Sequence, residues 1–508
     1  MPGTIEFRRA GPQDAARVRA LTRKAYAKWC EILGREPLPM TADYDHAVRH
    51  HVIDLAFTAG RLVGLVEMIP REDDILIENV CVDPDEQGGG LGRRLVAHAE
   101  EIALMRGYAV IRLYTNKLFA ANLRFYERLG YEIEREEPFK GGTMVHFRKV
   151  PDMSVDETFM TLAARLGHRA LGTTGENPPV GCIIVKDGII VGLGWTQPGG
   201  RPHAETEALK MAGEAARGAT AYVTLEPCAH HGRTPPCAEA LVAAGVARVV
   251  AAFEDPDPRV SGGGFAILRL AGIAIDAGIG ATAAGPDLAG FLTRIAKKRP
   301  YVTLKLALSA DGKIAEAPGI RTAITGPEVK ARAYLLRAQS DAILVGLGTV
   351  LADDPDLTCR LPGLEGRSPI RVVADSALAT PKSSHLVKTA GQVPVWLLSL
   401  QPGTVAPGVD VLACRPDVQG HVDLADALAR LAERGISRVL AEGGARLARG
   451  LLEKGLVDEL MLFRSPKLLG AKGVDAFAGL PPDAVMAAFR KDREERLGDD
   501  VMSVYVRA

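Results

Sequence analysis

Cysteine is scarce in this chain: seven residues in 508, scattered along it. Few, dispersed thiols suit a reducing compartment, the cytosol, where a thiolate can hold metal instead of forming a disulfide. No run of 18 apolar residues occurs, so no transmembrane helix is expected. The start, Met1 to Arg9, lacks the apolar core of a secretory signal. Net charge is also missing, with 62 basic and 62 acidic residues. That balance argues against a large electrostatic footprint for nucleic acid. No internal repeat and no low-complexity tract is visible, and the G-x-G-x-x-G dinucleotide fingerprint is absent.

What is present is length and apolar content. At about 100–200 residues per domain, 508 residues predict about three domains, and 47% hydrophobic residues suffice for several cores. The pattern reads as α/β throughout, in segments 1–150, 154–298 and 299–508. In the first, a helix is expected from about Pro12 to Lys28, strands at 55–58, 61–69, 75–82 and 109–114, and a helix at 120–129. In the second, strands are expected at 181–186, 189–194, 221–225 and 248–252, with helices from His203 to about Ala216 and from Cys237. The third opens with a strand at Tyr301–Leu308 and a turn at Ser309–Gly312. Two strand-to-glycine junctions follow, at Gly346–Thr349 and Glu442–Ala445.

The middle segment carries the sharpest chemistry. His203-Ala204-Glu205 is followed by Glu226-Pro227-Cys228 and, after eight residues, by Cys237. One imidazole and two thiolates leave a fourth tetrahedral position on Zn²⁺ open, the mark of a catalytic site. A water there is acidified toward neutral pH, and Glu205 is placed to take its proton and return it to a leaving group. The other five cysteines, Cys30, Cys81, Cys182, Cys359 and Cys414, read as small buried hydrophobes. The order H-x-E…P-C…C resembles the zinc deaminases, although their second interval is usually P-C-x-x-C. Asn177, before Pro178-Pro179, is a candidate to read a ring edge; a simple turn residue is the alternative.

The stretch Thr224 to Cys237, with Asn177–Lys186 and Pro202–Glu205, resembles the bifunctional deaminase/reductase of riboflavin biosynthesis. The resemblance implies a cytidine-deaminase-like α/β/α domain. Its substrate would be a small phosphorylated diaminopyrimidine, with His230 and Arg233 toward the phosphate; a guanidinium fork suits that group. Lys305–Gly312, Val350–Thr358 and Glu442-Gly443-Gly444 resemble the reductase half of the same family, whose fold is like dihydrofolate reductase. This implies NADPH, met by Ala307, Thr349, Asp353, Ser376 and Gly444, and a substrate met by Arg337, Leu357, Arg360 and Glu442. The chain departs from the family twice: Thr196 follows Gly194-Trp195 where a His is common, and Arg321-Thr322-Ala323 stands where a Ser and a Trp are common. Reductase activity is expected to survive with altered affinity.

In the first segment, Gln87-Gly88-Gly89-Gly90-Leu91-Gly92 lies at a strand-to-helix junction. Clustered glycines at a helix N-terminus make an anion site. The pattern resembles the GNAT acetyltransferases, as do Asn122 and Phe125–Tyr131. That implies acetyl-CoA held by Gln87, Gly88, Gly90, Gly92 and Asn122, with Tyr126 protonating the leaving thiolate. The acceptor is not legible. Two rival readings stay open. One is a base deaminase acting on nucleic acid or free nucleotide; residues 151–298, with 13 Lys/Arg and 15 Asp/Glu, argue against the polynucleotide form. The other makes the outer segments non-catalytic CoA- or nucleotide-sensing modules. The sequence also leaves a homo-oligomer open.

Overall fold

The protein is described from a computed structural model covering residues 5–58, 60–106, 108, 110–150, 155–230, 235–258, 260–320 and 322–508. By their contacts the residues fall into two compact units. One comprises 1–154 with 486–492 and 508; the other comprises 155–485 and 493–507.

In the first unit seven strands form one sheet in the order Glu6–Arg9, Val52–Thr58, Arg61–Pro70, Ile75–Val82, Ile111–Asn116, Gly142–Lys149, Glu132–Phe139. The alternation Ile75, Ile77, Asn79, Cys81 buried against Leu76, Glu78, Val80, Val82 half-buried is the period-2 signature of a strand. Helix Leu91–Met105 packs its apolar stripe of Leu95, Val96, Ala99 and Ile102 on one sheet face. Helix Ala15–Tyr26, preceded by a 3-10 turn at Pro12–Asp14, covers the other with Val18 and Leu21. Strands Ile75–Val82 and Ile111–Asn116 run parallel but pair only from Ile75–Ile111 to Ile77–Leu113. Beyond that point their ladder stops. A bulge at the same place sets Glu67 opposite Asn79 and Met68 opposite Ile77, leaving Glu78 as the extra residue.

The second unit contains two sheets of functional interest. Residues 155–298 build five strands in the order Ala274–Ala277, Arg248–Ala251, Thr220–Val223, Gly181–Lys186, Ile189–Trp195. Helix Ala204–Ala212 lies so close to this sheet that a Cβ on Gly194 would sit 2.0 Å from the Ala204 carbonyl oxygen. Glycine there is what admits the helix that carries Glu205. The helix is shorter than the sequence pattern predicts: His203 is its N-cap, and a 3-10 turn at Gly213–Ala216 replaces its expected last turn. Helices Val155–His168, Gly263–Leu270 and Ala281–Lys297 complete the layers.

The remaining sheet has nine strands in the order Val409–Ala413, Val395–Ser399, Ile370–Ala374, Ala342–Gly346, Arg438–Ala441, Tyr301–Leu308, Glu459–Arg464, Asp500–Arg507, Phe489–Leu497. Its first seven strands are parallel, so their loops at the carboxyl ends gather on one edge. Within this unit the two sheets are joined by named contacts. Arg294 donates to the Ser437 hydroxyl at 3.0 Å and to the Glu176 carbonyl at 2.6 Å. Arg438 donates to the Asp287 carbonyl at 3.0 Å.

Candidate active sites

The strand Thr220–Val223 delivers Glu226-Pro227-Cys228 at its carboxyl end, and Cys237 begins helix Cys237–Ala244. Nδ1 of His203 lies 3.6 Å from the Cys228 sulfur and 3.3 Å from the Cys237 sulfur. Zn–S and Zn–N bonds of about 2.3 and 2.0–2.1 Å spread over a tetrahedral angle place S and N about 3.5 Å apart. The donor set therefore has the spacing of ligands around one ion, with the three atoms all within 4.8 Å of one another. The backbone N–H of Cys237 donates to the Cys228 sulfur at 3.3 Å, which favours the thiolate.

Glu205 is buried beside this cluster, 4% exposed. Burial pushes its carboxyl up to about 7, against the pull of His203. The two residues share a cavity of about 220 Å³ with Asn177, Cys228 and His230. Of the residues singled out in the sequence, His203, Cys228, Glu205 and Asn177 line this one space, and Cys237 completes the donor cluster with His203 and Cys228. Arg233 lies outside the described residues. The reading missed Arg201, Asp255, Asp257, Val260, Phe291 and Arg294, which also line the cavity. One signal for part of this wall was available: Asp255-Pro256-Asp257-Pro258 begins four residues past the carboxyl end of strand Arg248–Ala251, the end where ligands of α/β sheets bind. Thr196, the departure from the family pattern, is in the lining too. Its hydroxyl accepts from the Val180 N–H at 3.0 Å and donates to the Pro178 carbonyl at 2.9 Å, bracing the loop of Asn177.

In the reductase segment four of the five predicted cofactor residues, Ala307, Thr349, Ser376 and Gly444, lie in or within three residues of the carboxyl end of a parallel strand, and Asp353 ends a helix. Ala307 is in the last turn of residues of Tyr301–Leu308, Thr349 follows Ala342–Gly346, Ser376 follows Ile370–Ala374, and Gly444 follows Arg438–Ala441. Gly444 is the N-cap of helix Ala445–Glu453, and Gly346 that of helix Leu347–Asp353, which ends at Asp353. A Cβ on Gly444 would lie 3.8 Å from the Thr349 hydroxyl, so these two helix starts adjoin. Their free N–H groups form a setting for phosphate.

The predicted substrate residues also converge. Arg337 and Glu442 form a two-pronged pair, and Arg337 also donates to the Thr358 carbonyl at 3.0 Å. Arg337 and Arg360 both lie over the Tyr334 ring, at 5.5 and 5.1 Å. Leu357, buried between these residues in sequence, holds φ 57°, the left-handed region that costs a branched side chain energy. Lys305, 3.8 Å from Glu442, was not singled out from the sequence. Burial would raise the Glu442 carboxyl, yet Arg337 and Lys305 outweigh it and hold it at about 2.

In the first unit, Gly88 and Gly90 have φ 87° and 83°, and nothing lies within 4 Å of a Cβ at either. They wrap the start of helix Leu91–Met105, leaving its N-terminus accessible, and Gly92 sits in the first turn. The Gln87 side chain donates to the Val82 carbonyl and accepts from Lys28. Asn122 reaches the Thr115 hydroxyl at 3.5 Å. Tyr126 is buried against Phe125, Tyr131 and Phe147, and burial pushes its phenol to about 12. Where the two parallel strands part, Tyr114 donates to the Glu78 carboxylate, and burial raises that carboxyl. Glu78 and Tyr114 carry no motif, and the sequence reading passed over them. No helix among the described residues is long and apolar enough to cross a membrane.

Fold and sites together define a two-centre enzyme, a metal-dependent type of deaminase joined to a reductase with a parallel sheet, and a third, acetyltransferase-like domain. Three family models match in that arrangement: the GNAT acetyltransferase family over residues 17–131, the cytidine and deoxycytidylate deaminase zinc-binding region over 153–253, and the RibD C-terminal domain over 300–503. The chain is 44% identical to the riboflavin biosynthesis protein RibD of Escherichia coli over 360 residues, covering 68% of this chain and 98% of that one. It is 38% identical to the RibD of Aquifex aeolicus over 353 residues, covering 70% and 99%. The solved RibD structure of Acinetobacter baumannii superposes with a TM-score of 0.65 at 38% identity, over 70% of this chain and 99% of that one. A deaminase/reductase structure from Thermotoga maritima gives 0.62 at 34%, over 70% and 99%. The chain belongs to the RibD family of bifunctional riboflavin-biosynthesis deaminase/reductases, and carries in addition a GNAT-like N-terminal domain.

Proposed function

We propose that the middle domain, loaded with Zn²⁺, hydrolytically deaminates 2,5-diamino-6-(5-phosphoribosylamino)pyrimidin-4(3H)-one, and that the C-terminal domain then reduces its ribosyl group to a ribityl chain with NADPH. The observation that carries this is the imidazole nitrogen and two sulfurs at ligand spacing, with the buried carboxyl of Glu205 in the same cavity. Zn²⁺ on His203, Cys228 and Cys237 would supply an acidified water. Glu205 then does the proton work. It takes one proton from the attacking water and gives it to the ring nitrogen, then takes the second proton from that same oxygen and gives it to the exocyclic amine, so that the C–N bond breaks and ammonia leaves. The Asn177 amide meets the ring edge. Arg201, Arg294 and His230 give the cavity a basic side for the phosphate.

In the reductase domain, NADPH would supply the hydride to the ribosyl carbon. The glycine-started helices at Gly346 and Gly444 suit its phosphates. Arg337, held rigid by Glu442, presents its charge to the substrate side. The N-terminal domain is read as an acetyl-CoA-dependent N-acetyltransferase. Gly88, Gly90 and Gly92 hold the pyrophosphate, Glu78 accepts a proton from the acceptor amine, and Tyr126 returns one to the leaving thiolate. The acceptor itself is unassigned. The deaminase and reductase reading is tested by incubating the full chain with the diaminopyrimidine phosphate and NADPH. Ammonia release followed by loss of nicotinamide absorbance supports it; neither signal from metal-loaded protein refutes it.

A further inference from the structure

Glu226 stands two residues before the ligand Cys228, and its side chain is 3% exposed. Among the described residues its carboxylate is engaged by backbone alone. One oxygen accepts from the N–H groups of Asp255 at 3.1 Å and Gly262 at 3.0 Å; the other accepts from Phe265 at 3.1 Å. Gly262 is the N-cap of helix Gly263–Leu270 and has no side chain with which to cap it. The first N–H groups of any helix lack partners within it. Glu226 satisfies two of them from a distant part of the chain, and a carboxylate is favoured at that end of the helix.

The backbone closes the same contact. The Glu226 N–H donates to the Phe253 carbonyl at 2.9 Å. A Cβ on Gly264 would lie 1.9 Å from the Pro227 carbonyl oxygen, so only glycine admits the approach. Residues 226–228, which bring the sulfur, are thereby fastened to residues 253–265. The latter segment supplies Asp255, Asp257 and Val260 to the cavity wall.

We propose that Glu226 is a positioning residue: it fixes the metal-ligand segment and the substrate-facing wall to each other as one body, so that the ion and the bound pyrimidine keep a single relative geometry. A carboxylate offers only acceptors, matching three converging donors. A glutamine would turn its own N–H₂ toward one of them, so Gln is not a conservative change here.

The test compares wild type with Glu226→Gln and Gly264→Ala in the full chain. Gly264→Ala forces the same contact apart while leaving the carboxylate intact. Three readouts are taken: KM and kcat for deamination, release of zinc to a chelator, and reductase turnover on pre-deaminated substrate. Outer partners of metal sites are typically worth ~10–100-fold in affinity or activity. The expected result for both variants is a drop of that size in kcat/KM for deamination, with KM raised, zinc released faster, and reductase turnover within twofold of wild type. Deamination constants and zinc release both within twofold of wild type overturn the proposal. So does a parallel loss of both activities, which marks a general folding role. A fall in kcat that tracks lost zinc at unchanged KM also overturns it, because the wall would then be independent of Glu226.

Discussion

Arg337 and Glu442, 105 residues apart, meet through two parallel hydrogen bonds of 2.9 and 3.0 Å in the interior of the reductase domain. The pair joins the end of helix Pro327–Ala338 to the loop after strand Arg438–Ala441. Such a buried pair is costly to break by halves, because the survivor stays charged and desolvated. Glu442→Ala should therefore destabilise the reductase domain by about 3–5 kcal/mol and abolish reduction. Deamination by the same preparation should persist at 25 °C. Because the folded Glu442 carboxyl is held at about 2, below its ordinary value, its contribution is complete above about pH 4.3 and is lost as pH falls toward 2. Acid titration of wild type against Glu442→Gln, followed by thermal melting, checks the sign.

Glu205→Gln keeps the size of the side chain and removes its proton chemistry. Metal content should remain stoichiometric while deamination falls by ~10²–10⁴-fold, the usual worth of general acid–base assistance. Elemental analysis alongside ammonia assay decides this. Near-normal turnover in zinc-loaded Glu205→Gln would remove the residue from the mechanism.

Stripping the metal should separate the two activities. His203, Cys228 and Cys237 form a donor cluster in the middle domain, whereas the Arg337–Glu442 pair lies in the reductase domain, between helix Pro327–Ala338 and the loop after strand Arg438–Ala441. Dialysis against a strong chelator is expected to end ammonia release and leave NADPH oxidation on pre-deaminated substrate intact. Added Zn²⁺ should restore the first activity.

Within the N-terminal unit, His98 stacks on Phe7 and reaches the Asp54 carboxylate at 2.9 Å. Burial would lower the imidazole, but hydrogen bonds to Asp54 and Glu101 override it and hold it at about 9. A group raised above its unfolded value near 6.5 stabilises fully below that pH and loses the effect as pH climbs through 9. The shift corresponds to something on the order of 3 kcal/mol. The unit's melting temperature should fall between pH 7 and pH 10, and His98→Asn should flatten that slope. A wild-type melting curve unchanged across this interval would contradict the assignment.

Gly90, at φ 83°, has open space where a Cβ would go, so a side chain there strains the backbone without a clash. Left-handed residues other than glycine cost about 1–3 kcal/mol. Gly90→Val should weaken acetyl-CoA binding by about tenfold, the equivalent of ~1.4 kcal/mol. Tyr126→Phe should leave binding intact and slow turnover against an amine panel. Calorimetry with acetyl-CoA and thiol release measure the two effects separately. Binding with no turnover on any amine would favour a CoA-sensing module.

Much of the site was legible because its residues sit at fixed offsets from recognisable punctuation. Cys237 opens its helix and Tyr301–Leu308 is a strand as the pattern predicts, and Arg438–Ala441 runs straight into Glu442. Reading failed at element ends and in stretches that carry no motif. The helix after His203 stops at Ala212 because Gly213 breaks it, not where its apolar pattern fades. Helices Gly263–Leu270 and Ala281–Lys297 were not foreseen; Phe291 and Arg294 of the cavity sit on the second, and Val260 lies in the loop before the first.

Covalent order alone determined which groups can do chemistry: an imidazole, two thiols and a carboxyl in a set sequence, and glycines where chain direction reverses. Those choices are local, since each depends on residue type and on a few neighbours. Only the folded chain decided that Glu226 meets three backbone amides, that Arg337 finds Glu442, and that Glu78 emerges where two strands separate. Burial and pairing of charge depend on distances across the fold, and sequence spacing does not encode those distances.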